Sequence, residues 1–309
     1  MSTPPVEGAG AAPLTAHQVT KARRAAAARR TWRDFRANRP GLVGLVVLTA
    51  VVLVALGAPL IASADGLEAT KATGGVLEPP SGEFWLGTDG NGRSVLTLLI
   101  WGSRISLIVG VLATIISMGI GTLVGLTSGF FDGWPAAVLF RITEWFLVLP
   151  FLPLAIVLAT VLGRSLFTIA IVIGVTSWAA TALLIRSQTL SVRERAYLER
   201  ARVLGAGRWH QMTRHVLPNV MPMVFANTTL TVAVAILSET TLSFLGLGDP
   251  TRVSWGSMLE EAFSVGAITT GAWWFIIPPG VAVVLVVLSF TLIGQALEEI
   301  FNPRLRARR

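Results

Sequence analysis

The chain of 309 residues contains no cysteine. Disulfide bridges, thiolate metal sites and cysteine nucleophiles are therefore all excluded together. Charge is scarce as well, with 14% Asp, Glu, Lys and Arg against 53% hydrophobic residues, too apolar a balance for an ordinary soluble domain. No Gly-x-x-x-x-Gly-Lys-Ser/Thr phosphate loop occurs, so this chain is not expected to hydrolyse ATP itself. The three histidines, His17, His210 and His215, lie at no zinc-protease spacing from carboxylates, and no metal site is expected. Nor is there a nucleophile and base pair at motif spacing, or an internal repeat of the kind that builds the midplane site of single-chain secondary transporters.

What is present is a succession of apolar runs. Gly41 to Ala62 is uncharged and long enough to cross about 30 Å of hydrocarbon as a helix. Ala62-Ser63-Ala64 looks like a signal-peptidase site, but the run exceeds a signal peptide's apolar core, so an uncleaved anchor is expected. Further spans are expected at 105–129, 137–162, 167–185, 220–244 and 273–297, which gives an all-α polytopic membrane protein with six transmembrane helices. Gly110, Gly119, Gly121 and Gly125 in the second span could allow close helix approach. Pro150 and Pro153 are expected to kink the third, as a structural bend or a gating hinge, and Pro278-Pro279 to break the sixth. Arg141 and Glu144, three residues apart, share a helix face. Glu239 lies inside the fifth run, where a carboxylate is costly; it is either a functional group or reaches water near the surface.

The net charge of +8 is read as topology rather than as a nucleic-acid footprint, because Lys and Arg cluster between and beyond the spans. A cytoplasmic N-terminus places most of them inside, including a basic arm over 21–39 suited to anionic lipid. Residues 1–20 lack a hydrophobic period and are expected to be disordered. The organisation expected is a basic arm (1–40), a first span with an outer loop (41–104), a core of five spans (105–300) and a short basic tail (301–309), with both termini cytoplasmic.

The most polar stretch between spans is Ser191 to Asn219, SVRERAYLERARVLGAGRWHQMTRHVLPN, with six arginines and two glutamates. Leu198, Ala201, Leu204 and Gly205 suggest a short amphipathic helix, which Gly205 and Gly207 would close. Moving a two-state equilibrium from 1:99 to 99:1 takes about 5.5 kcal/mol, which an exposed salt bridge at about 0–1 kcal/mol cannot transmit. Any force received here must therefore enter through a packed helix face.

At these residues a resemblance enters. Glu199, Ala201, Gly205 and His215-Val216-Leu217-Pro218 are spaced as in the cytoplasmic coupling motif of ABC importer permeases, with Arg200 where an alanine is usual. Leu86-Gly87-Thr88-Asp89 with Gly92-Arg93, then Ser94 where aspartate is usual, is similar to C-type permeases of the dipeptide, oligopeptide and nickel branch. So is SETTLSFLGLGDPTRVSWGSML, residues 238–259, and so is the C-terminal Asn302-Pro303-Arg304-Leu305-Arg306, with Asn302 replacing aspartate.

The resemblance implies a type I importer permease in a prokaryotic plasma membrane. It implies as partners a second (B-type) permease, two cytoplasmic ABC ATPase subunits or domains carrying ATP and Mg, and an extracytoplasmic substrate-binding protein. The substrate would be di- or oligopeptides, with nickel chelates or another small solute as the alternative and a proton-coupled carrier as the rival class. ATPase coupling would fall to Leu198, Glu199, Arg200, Ala201, Arg202, Leu204, Gly205 and Ala206; Arg141, Glu144, Pro150 and Glu239 would be gating or structural.

Overall fold

In the computed structural model, which describes residues 26 and 29–301, the chain is helical and has no strand among those residues. The disordered segment expected over 1–20 and the basic tail at 302–309 lie outside the described residues, as does part of the arm, of which 29–37 is helical. The helix α1 (Arg39–Ile61) starts where the Asn38 side chain accepts the Gly41 N–H, with Pro40 in the first turn. Helix α2 (Val95–Phe130) follows, then α3 (Trp134–Val148), α4 (Phe151–Leu162) and α5 (Leu166–Arg193). The short α6 (Ala196–Val203) and α7 (Arg208–Gln211) precede α8 (Leu217–Leu242), α9 (Trp255–Ser264) and α10 (Trp273–Phe301).

Five helices are long and apolar enough to cross a membrane, counting Arg208–Leu247 as one. The third span differs from expectation: α3 and α4 pass the same test only together and meet at 95°. At 15 and 12 residues, about 22 and 18 Å, neither crosses about 30 Å alone. Pro150 sits at the break as the residue before α4, so the proline produces a corner rather than a kink.

Three other boundaries move, each for a local reason. α2 begins ten residues before the expected start, because the Ser94 side chain accepts the Thr97 N–H and caps it. α5 runs past Arg186, whose guanidinium lies 3.9 Å over the Phe140 ring, and ends at Arg193. α10 is not broken at Pro278-Pro279, which lie in its second turn and free only the carbonyls of Trp274 and Phe275.

The centre is the packing of α2 against α5. A Cβ added at Gly125 would lie 2.5 Å from the Ala182 carbonyl oxygen and one at Gly121 2.8 Å from that of Trp178, so side-chain-free positions let the backbones close up. Gly119 has open space instead and takes no part in this contact. α8 packs on both, with Ala235 and Leu242 among the buried apolar side chains shared with α2 and α5. The result is a three-helix core flanked by α1 and α10, with one end bearing the basic loop 193–217 and the opposite end bearing 62–94 and 248–272.

Candidate functional site: the basic elbow between α5 and α8

Between α5 and α8 the chain leaves the helical core and returns, and the sequence dictates how. α6 lasts two turns and closes at Gly205, whose φ of +84° falls in the left-handed region. The Gly205 N–H donates to the Arg202 carbonyl and that of Ala206 to the Ala201 carbonyl, both at 3.0 Å. This is a Schellman closure, which satisfies carbonyls that the helix end leaves open. Gly207 then starts α7, and a π-helical turn, Met212–Val216, carries the chain into α8 without a break. The wider turn stands directly before Pro218, where an ordinary turn would meet the proline ring. The expected order of helix, glycine turn, short segment and span is present, but the last two form one continuous helix.

The elbow is pinned to the core from inside. Leu198 is 2% exposed and packs with Val192, Met212, Val216 and Val220. This corrects its expected place in a docking face: it anchors α6 to its own chain. Leu204, placed on the same stripe, is 87% exposed. Six residues are about 240° around a helix, and α6 ends before Leu204 in any case, so the two side chains point apart. Ala201 and Ala206 are half-buried, whereas Glu199, Arg200, Arg202 and Gly205 are exposed. The Gln211 side chain, itself buried, donates to the Ala206 carbonyl at 2.6 Å and ties α7 to the turn.

Val203 and Trp209, 83% and 68% exposed, are, like Leu204, apolar side chains that the elbow leaves uncovered, among the exposed Arg200, Arg202 and Arg208. Neither was singled out from the sequence, although an apolar pair directly before a glycine closure is a signal that the helix pattern had lapsed. A second missed feature is the ion pair from Arg193 to Asp132: Nη1 donates to Oδ1 at 2.8 Å and Nη2 to Oδ2 at 2.7 Å. Arg193 also donates to the Phe130 carbonyl, joining the turn after α2 to the start of the elbow. The Arg193 guanidinium holds the Asp132 carboxyl below the usual carboxylate range, with Arg202 and Arg208 adding in the same direction.

Of the other predicted residues, Arg141 and Glu144 line a cavity of about 330 Å³ together with Asp132 and Arg193, and Glu239 lies apart from the elbow. Arg141 and Glu144 on α3 form an ion pair at 2.9 Å, largely solvent-facing and thus worth about 0–1 kcal/mol. Glu239 is 1% exposed, which removes the expectation that it reaches water. Ser106 of α2 donates to its Oε2 at 3.0 Å and Ser243 to its Oε1 at 2.8 Å, while Ser106 Oγ accepts the Trp255 N–H. The carboxylate thus ties α2, α8 and α9 into one buried polar knot.

At the opposite end, Gly87 and Gly92 take positive φ and Asp89 accepts the N–H groups of Asn91 and Arg93, the capped turn expected there. That turn aims Arg93 at Glu261 of α9, on which Nη2 donates at 2.9 and 2.7 Å to the two carboxylate oxygens. Glu261 lies 168 residues away and has no local signal. Among the described residues no group of three or more metal-ligating side chains assembles.

A multi-pass helical membrane protein with an exposed elbow held rigidly between two spans is the architecture of a transport permease. Residues 121–307 match the family described as the binding-protein-dependent transport system inner membrane component, and the chain belongs to that family. Residues 27–80 match the N-terminal transmembrane domain of oligopeptide transport permease C. The chain is similar to the oligopeptide transport system permease protein OppC of Bacillus subtilis, 33% identical over 280 residues, with 89% of this chain and 90% of that protein covered. It is similar also to the dipeptide transport system permease protein DppC of Alkalihalophilus pseudofirmus, 32% identical over 280 residues and 90% of each chain. A glutathione transport system permease protein of Pectobacterium atrosepticum is 32% identical over 280 residues, covering 90% of this chain and 92% of that protein.

Proposed function

We propose that this chain is the C-type transmembrane subunit of an ATP-driven importer for di- or oligopeptides. It shares the translocation pathway with a second, B-type permease and lies in a prokaryotic plasma membrane with both termini cytoplasmic. Two ABC ATPase subunits or domains bind ATP and Mg, hydrolyse the nucleotide and seat the elbow; a substrate-binding protein delivers peptide on the other side. No catalytic step falls to this chain, which converts closure of the ATPases into repacking of its spans.

The observation that carries the reading is the elbow itself. Val203, Leu204 and Trp209 are exposed apolar side chains on an elbow whose inner residue, Leu198, is locked into the core. A push on the elbow is transmitted through packed side chains into α5 and α8, because close-packed interiors do not deform continuously. The positive charge gathered at that end supports a cytoplasmic placement, the side where nucleotide is.

The test is reconstitution of the whole complex in vesicles with labelled di- and oligopeptides. Uptake that needs ATP, the binding protein and a hydrolysis-competent ATPase supports the proposal. Uptake by this chain alone under a proton gradient without ATP overturns it. Glutathione belongs in the same assay, because a relative is named for its transport.

A further inference from the structure

Between α2, α5 and α8 lies a lateral cavity of about 230 Å³. Ser117, Ser177, Thr181, Asn227 and Thr231 line it together with small and aliphatic side chains, and no charged residue does. Counted along the helices at 1.5 Å per residue, Ser117, Ser177 and Asn227 lie roughly 15–25 Å from the basic ends of α2, α5 and α8. In a hydrocarbon core of about 30 Å that is deep within the membrane.

Polar side chains in membrane helices ordinarily satisfy themselves on the preceding turn, as Thr114, Thr176 and Thr228 do here on the carbonyls of Gly110, Val172 and Val224. Thr231 does the same on the Asn227 carbonyl, but Ser117, Ser177 and Asn227 leave hydrogen-bonding capacity open. Ser117 Oγ is buried, with 1% exposure, and has no partner at all. The Ser177 hydroxyl makes no hydrogen bond among the described residues, and the Asn227 amide donates only weakly, to Met118 Sδ at 3.6 Å and to the Thr181 and Thr231 hydroxyls at 3.4 Å. The Asn227 side-chain oxygen Oδ1 accepts nothing from the described residues, whereas the backbone carbonyl of the same residue accepts the Thr231 hydroxyl at 2.9 Å.

Lipid tails cannot satisfy such groups, and an unpaired polar group left against hydrocarbon is costly. At about 30 Å³ per water the cavity has room for about seven. The geometry points to this groove as the chain's own wall of the aqueous passage, one that holds the amide groups of a peptide backbone in transit. Serine hydroxyls can donate or accept and the Asn227 oxygen accepts, which matches the alternating N–H and C=O of an extended peptide. The absence of charge leaves peptide side chains unselected, as a wall serving many sequences requires. The inference rests on the importer reading and names where in this chain its substrate passes.

Because the natural chain has no cysteine, labelling read on this chain after its separation from the partner subunits reports the introduced thiol alone. Ser177→Cys and Asn227→Cys are each assembled into the full complex in vesicles and exposed to a membrane-impermeant, charged thiol reagent, with Leu53→Cys on the exposed face of α1 as the lipid-facing control. A thiol reacts as the thiolate, which requires water. The expected result is loss of the free thiol at 177 and 227 but not at 53, with that loss suppressed by saturating transported peptide. No labelling at either position in vesicles that still import peptide overturns the inference and leaves the importer reading standing. Labelling that peptide does not suppress also overturns it, since the groove is then a crevice off the substrate's route. Failure of the complex carrying the natural chain to import any peptide under ATP is the distinct result that removes the importer reading, and the inference with it.

Discussion

Truncating Leu204 to alanine isolates the docking contact from the stability of the chain. Leu204 is 87% exposed, so its side chain adds almost nothing to this subunit's own packing. The Schellman closure around it uses only backbone groups, from Gly205 and Ala206, and survives the change. If the side chain is buried in an ATPase cleft, Leu204→Ala removes three carbons from that contact, about 2 kcal/mol at about 0.8 kcal/mol per CH2. That is roughly 30-fold weaker docking at about 1.4 kcal/mol per tenfold. It is also more than a third of the roughly 5.5 kcal/mol needed to throw a two-state transporter fully across. The assay is retention of the ATPases by the solubilised permease pair on size exclusion, run beside ATP-driven uptake in vesicles. Both should fall while the amount of this chain in the membrane is unchanged. Leu198→Ala is the contrasting variant: this side chain is buried in the core, so the expected cost is about 2–5 kcal/mol of the chain's own stability. Native ATPase retention and uptake by Leu204→Ala would refute the reasoning.

Three further outcomes are expected. Gly205→Asp places a side chain on a residue at φ +84° and adds a negative charge to an arginine-rich elbow; uptake should be abolished with the protein still in the membrane, as checked by membrane fractionation and transport. Glu239→Gln should retain thermal stability in detergent, since an amide can still meet Ser106 and Ser243, whereas Glu239→Ala strands those hydroxyls and should cost about 2–4 kcal/mol, read as a lowered melting midpoint. Asp132 has a lowered folded-state pKa, so its stabilisation of the loop is present above the ordinary carboxylate pKa of about 3.9 and is lost as pH falls through the lower folded value. Protease cleavage of the 130–133 turn should therefore rise in acid below that range, and Asp132→Asn should show the raised cleavage already at neutral pH.

How far the sequence alone reaches depends on whether the cause is local. Gly205 was readable as a helix closure because only glycine takes the left-handed conformation at no cost, whereas Gly207, expected to share that role, starts α7 instead. The apolar runs announced the spans because twenty-odd uncharged residues have few other stable environments. The docking face was misdrawn for an equally local reason: a helical stripe was extended through Leu204, although α6 ends at Val203. Other features have non-local causes. The 95° corner at Pro150 could be sensed as a bend, but its size is set by how α3 and α4 lie on α5. Ser106, which ties Glu239 to α2, and Glu261, which Arg93 reaches on α9, lie 133 and 168 residues away, and no spacing rule connects them. The groove at Ser117, Ser177 and Asn227 was invisible for the same reason, since each residue alone is an ordinary polar position in a span.

The proposed function requires force to enter this subunit through the elbow from a nucleotide-hydrolysing partner. It is tested most directly by cross-linking the assembled complex from a single cysteine at Leu204→Cys, which the cysteine-free chain makes specific. The account predicts one dominant cross-link, to an ATPase subunit, whose yield changes between the ATP-bound and nucleotide-free states. A cross-link to lipid or to the second permease alone, the same in both states, would contradict it.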